Sequence, residues 1–125
     1  MSRRGLLLVN GVFRLGYGIG ALLSPSTMAT ARMVPDTEDR PDARLFVRGF
    51  GAHQVAVGVL GLASGHWRRL QRPAIALAVV IDVVDMVSAV MEARARGRID
   101  PDLAGGVALS AAGAATAGAA LNAPY

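Results

Sequence analysis

Four long apolar stretches separated by short charged links make up almost the whole chain. After Arg3 and Arg4, the residues from Gly5 to Ala31 hold a single charge, Arg14. A polar, proline-bearing link follows over 32–44, reading RMVPDTEDRPDAR. The second stretch is interrupted by Arg48 and by the pair His53-Gln54, and it ends before Arg68, Arg69 and Arg72. Pro73 opens a third stretch carrying Asp82, Asp85 and Glu92. A link with Arg94, Arg96, Arg98, Asp100 and Asp102 leads to the last, which has no charge. The spans expected are 5–24, 45–66, 73–93 and 103–121. Each holds about 19–22 residues, and at about 1.5 Å per residue each reaches roughly 30 Å, the thickness of a bilayer's hydrocarbon core.

No stretch sustains a period of two, so strands have little support. The helices also lack the broad polar stripe of a surface helix: from Pro73 to Val90 only Asp82, Asp85 and Ser88 could face water. The pattern therefore predicts an all-α protein, an integral membrane four-helix bundle forming one domain over 1–125. Met1 to Arg4 followed by Ala29-Thr30-Ala31 has the outline of a signal peptide with a cleavage site. Arg14 breaks its apolar centre, and a retained first span is the better reading. Pro73 suits a first helical turn, and Gly97 to Pro101 reads as a break between helices.

Composition sharpens this picture at three points. Hydrophobic residues make up 53% of the 125 and charged ones 18%, more apolar than an ordinary soluble domain. Cysteine is absent, which excludes disulfides, thiol redox catalysis, Cys-ligated zinc and iron–sulfur clusters. All 13 basic residues are arginine. They lie mostly at segment ends, which suits anionic lipid headgroups, and aromatics to stack on bases are sparse. The expected partner is thus the lipid bilayer and not nucleic acid.

A charge at mid-bilayer is costly unless paired or hydrated. Arg14 and Asp82 each lie nine residues into a span, and these two spans run the same way, so both sit about 13 Å from one face. His53 and Asp85 lie at comparable depths from the opposite face, with Arg48 nearer the interface. Asp82, Asp85 and Glu92 share one side of their helix. The expectation is a buried polar cluster of Arg14, Arg48, His53, Gln54, Asp82 and Asp85, with Asn10 one turn from Arg14. Three readings stand: a cluster that fixes helix order and register, a proton or solute site, or charges that snorkel separately. Histidine is the side chain that changes charge nearest neutral pH, which makes His53 the proton-relay candidate.

In the last span Gly106, Ser110, Ala114 and Gly118 recur every four residues, a small-xxx-small row that lets backbones approach. It serves either packing within the bundle or homodimerisation. The same spacing occurs at Gly16 and Gly20 and at Gly61 and Gly65. The run Gly16 to Gly20 lacks the strand and spacing of a dinucleotide loop. His53 and His66 have no carboxylate at ligand spacing on their own helix, so no metal is expected. No Ser-His-Asp arrangement is suggested, and the chain reads as no stand-alone enzyme. The arginine counts of the two sides, five and six, nearly tie. The placement expected is multi-pass in the cell (inner) membrane with both termini cytoplasmic.

Several of these residues also form a pattern. Ser24-Pro25 follows a glycine-rich first helix, Arg44 to Gln54 reads RLFVRGFGAHQ and leads to Gly58, and an acidic third helix follows. Together they resemble the small four-helix DoxX-like membrane proteins, in particular their uncharacterised actinobacterial relatives, over nearly the whole chain. In that resemblance Arg48 and Gly51 take the places of an Arg-x-x-Gly motif, followed by a polar pair and a glycine. The pair is often Arg-Asp there, so His53-Gln54 is a departure. The resemblance implies a four-helix membrane fold and, for some members, association with quinone-linked redox complexes. The expected role is a small accessory or structural membrane protein acting through partner subunits or as a homo-oligomer. The alternative is a solute or proton carrier using Asp82, Asp85, His53 and Arg14, and the third a quinone-contacting redox subunit.

Overall fold

A computed structural model describes residues 1–28 and 39–124. Within them lie four helices, α1 (Arg3–Leu23), α2 (Pro41–Ser64), α3 (Gln71–Arg96) and α4 (Pro101–Asn122), with a 3-10 turn, Arg68–Leu70, before α3. The Ala29-Thr30-Ala31 motif and most of the polar link 32–44 fall outside the described residues. Local chemistry places the helix ends. The Ser2 hydroxyl accepts from Gly5 N–H at 3.2 Å and starts α1 two residues before the expected span. Pro41 and Pro101 stand in first turns, where a missing N–H leaves no bond unmade. Asp100 caps α4 by accepting from Leu103 N–H at 2.9 Å, and Gly97 ends α3 at φ 66°, a left-handed conformation that favours glycine.

Each helix is long and apolar enough to cross a membrane. Large apolar side chains crowd the outside, among them Val12, Phe13, Phe46, Val59, Val80 and Val84. The interior is made of small residues around Ile75 and Val47. This is the distribution expected where lipid, not water, surrounds the protein and close packing replaces the hydrophobic drive between helices. The chain thus has the build of a multi-pass membrane protein with an all-α four-helix bundle.

The helices run up and down in two hairpins. α1 and α2 meet backbone to backbone through glycines. A Cβ on Gly18 would lie 2.6 Å from the Gly51 carbonyl oxygen, and one on Gly58 would lie 2.7 Å from Leu15 N and 2.9 Å from the Gly11 oxygen. Gly11 faces Gly58 as Gly18 faces Gly51, so the pair is antiparallel. α3 and α4 pack in a second constant register: Ile75 with Ala120, Ala78 with Ala117, and Asp82 with Gly113.

The four-residue row on α4 is not a continuous contact. Gly106 is buried, Ser110 and Ala114 are half-buried, and a Cβ on Gly118 would meet nothing within 4 Å. A step of four advances about 40° around a helix of 3.6 residues per turn, so such a row winds off the packed side; a step of seven drifts only about 20°. The close approaches follow sevens, at Gly11 and Gly18 and at Gly51 and Gly58. Gly16 likewise has open space, whereas Gly61 and Gly65 lie against α1.

Candidate functional site

The buried charges converge on Arg14. Its side chain is 4% exposed, and three helices supply its acceptors. Nε donates to Asn10 Oδ1 at 2.9 Å, one turn back on α1. Nη1 donates to Gln54 Oε1 of α2 at 2.8 Å, and Nη2 donates to Asp82 Oδ2 of α3 in a fully buried ion pair. α4 closes the site with Gly113, where a Cβ would come within 2.7 Å of Asp82 Oδ2. A side chain there would displace the Asp82 carboxylate from its place beside Arg14. Every helix thus touches the pair, which is neutral as a unit and whose guanidinium is also hydrogen-bonded to Asn10 and Gln54. That arrangement is what lets two charges sit inside an apolar bundle.

Four of the six expected residues, Arg14, Gln54, Asp82 and His53, assemble in or beside this cluster. His53 is half-buried, meets Phe50 edge-on with centroids 4.7 Å apart, and has Nε2 3.5 Å from Gln54 Nε2. Asp85 lies one turn past Asp82, half-buried and without a hydrogen bond or ion pair among the described residues. Its electrostatic neighbours are His53, Asp82 and Arg14.

Arg48 does not belong to the cluster. It is exposed, and its Nε reaches the Leu22 carbonyl at 3.4 Å, at the C-terminal end of α1. The inward side of α2 runs through Val47, Gly51, Gln54, Val57, Gly58 and Gly61. Arg48 is one residue past Val47 and so is turned about 100° away from that side.

Above Arg14 lies a cleft of about 40 Å³, walled by Phe13, Tyr17, Phe50 and Leu109 with Ser110 and Gly113 at its edge. The aromatic walls hold one another, Phe13 stacked on Tyr17 at 6.3 Å and Tyr17 edge-on to Phe50 at 6.0 Å. The volume admits a few water molecules; a cavity that takes a benzene ring measures roughly 150 Å³. Among the described residues no three His, Cys, Asp or Glu side chains converge as metal ligands.

Gly113 and the aromatic walls are the parts of the site that the sequence pattern does not reveal. Gly113 sits within the run AAGAA, and only the α3–α4 register would single it out. Comparison with family models, with curated proteins and with solved structures gives no match to this chain.

Proposed function

We propose that this chain is a small accessory membrane protein that acts through its outer surface, by self-association or by binding partner membrane subunits. The observation that carries the reading is the closed state of its polar interior: Arg14 is held by Asn10, Gln54 and Asp82 of its own chain. The cleft beside it holds no more than a few waters. An interior fastened in this way fixes helix order and leaves the outside to carry function. The outward side of α4 offers the surface for it, since Gly105, Ala108, Ala112 and Ala115 are all exposed and small. The proposed placement is the inner membrane with both termini on the cytoplasmic side. The DoxX-like resemblance is part of the proposal, and its glycines Gly51 and Gly58 are those that meet α1.

The test is cross-linking in the native membrane followed by purification in mild detergent. A defined complex, with a second copy or another membrane protein, is expected, and Ala112→Leu should disperse it while leaving the melting temperature unchanged. A chain that stays monomeric and alone after cross-linking refutes the reading. Asp85 favours a second reading, carriage of a proton or solute, because it is a carboxylate within a span without a hydrogen-bond partner among the described residues. That reading requires pH-dependent flux in proteoliposomes that Asp85→Asn abolishes with folding intact.

A further inference from the structure

The net charge of +4 is not spread over the molecule. At the end where α1 begins, α2 turns into α3 and α4 finishes, the described residues carry Arg3, Arg4, Arg68, Arg69 and Arg72 and no Asp or Glu side chain. Contacts hold these segments together. Arg3 donates to the Ala120 and Leu121 carbonyls, both at 2.7 Å, Leu7 packs with Ile75 and Ala120, and Leu8 lies against Gly65. At the opposite end arginines and carboxylates occur together, Arg40 with Asp42 and Arg96 with both Glu92 and Asp100. Arg14 and Asp82 cancel one another inside. Among the described residues, one end of the bundle therefore carries the excess positive charge.

The shape of this end fits a lipid surface. Arg68, Arg69 and Arg72 fall within five residues around the 3-10 turn, all exposed, and Trp67 beside them is 57% exposed. The turn lies where the apolar spans stop, so its side chains stand at headgroup level, the depth at which tryptophan is enriched. Guanidinium groups present planar forks that match phosphate oxygens, and a cluster of them beside a span is attracted to an anionic leaflet.

We propose that the Trp67–Arg72 turn, together with Arg4, is a docking surface for anionic phospholipid headgroups, recognised through phosphate and negative charge. The surface selects which lipids surround this end, and it ties that end to the anionic cytoplasmic leaflet. The inference rests on the membrane placement but not on the accessory role.

The experiment reconstitutes the full chain into vesicles of phosphatidylglycerol mixed with phosphatidylcholine, withdraws it in mild detergent and measures the lipid retained. Wild type should enrich phosphatidylglycerol several-fold, less so as salt rises. Arg69→Gln/Arg72→Gln should lose most of the enrichment. Arg94→Gln/Arg98→Gln, the same charge change at the other end, should keep it. Should the double variant fail to fold, Arg69→Gln and Arg72→Gln are measured singly, and each must lower the enrichment. No enrichment in wild type, or equal loss from both ends, overturns the docking surface. Extraction of the chain from membranes by alkaline carbonate would instead overturn the membrane placement, so the two failures are distinguishable.

Discussion

Asp82 has one cationic partner, and removing its carboxylate would leave the Arg14 guanidinium buried with only the Asn10 and Gln54 oxygens. Losing one partner of a buried pair is far costlier than replacing both, because an uncompensated charge remains. Asp82→Ala should therefore destabilise the bundle by about 3 kcal/mol, read as a lowered melting temperature in detergent. Exchanging the two residues, Arg14→Asp with Asp82→Arg, should recover part of that loss. An exchange no better than either single change would show that the pairing does not hold the bundle. This pair was legible in the sequence because depth is a matter of counting: nine residues into two spans of the same direction is the same height. The same counting puts Arg48 nearer the interface, and grouping it with the buried cluster is the error. Height along an axis says nothing about azimuth, and azimuth is set by which side of α2 the glycines of α1 bring inward.

Between helices the deciding quantity is how near two backbones come. Leu15 N and the Gly11 oxygen stand 2.7 and 2.9 Å from where a Gly58 Cβ would be, and neither is the movable end of a side chain. Gly58→Val should cost about 2 kcal/mol through overpacking and separate α1 from α2. Gly118→Val, built into open space, should leave the melting temperature within a degree or so of wild type. Equal losses would mean that the close approach of α1 and α2 does not set the cost, and helix propensity could not explain them because valine is the better helix former. The helix breaks were readable beforehand because Gly97 and Pro101 act through their own backbones. The glycine seam was not, since a small residue every four positions and one every seven look alike until a partner helix selects between them. The α3–α4 break adds a pH dependence. The Leu103 N–H, first, and then Arg96 hold the Asp100 carboxyl below the ordinary aspartate range. A depressed carboxyl contributes stability that is complete above the ordinary range and is lost as pH falls through the lowered value. Asp100→Asn keeps a cap without the charge. Wild type should thus melt above this variant at neutral pH, and the difference should shrink below about pH 4.

On the scale of the whole molecule, up-and-down order brings the first and last helices together, and their junction supports a span with few large apolar side chains. α4 is built mainly of alanine and glycine, with little large apolar surface of its own to hold it in lipid. Its last carbonyls have no partners within the helix, and Arg3 supplies them: Nε to Ala120, Nη2 to Leu121, with the Arg3 backbone N–H on Pro124 at 2.8 Å. A cation at a helix C-terminus also favours the macrodipole, by about 1 kcal/mol. Arg4, its neighbour, is exposed and carries the same charge at the same height. The two residues therefore separate two effects that usually travel together. If charge alone fixes topology, Arg3→Gln and Arg4→Gln should act alike, because each removes one positive group from the same end. If the end of α1 holds α4 in place, only Arg3→Gln should act. A reporter fused after the last residue, together with labelling of a cysteine introduced into this cysteine-free chain beyond α4, reads the outcome. For Arg3→Gln a fraction of the chains should place the C-terminal reporter on the side opposite the amino terminus, and Arg4→Gln should match wild type. Identical behaviour of the two variants would show that α4 inserts unaided and that Arg3 is one more headgroup contact.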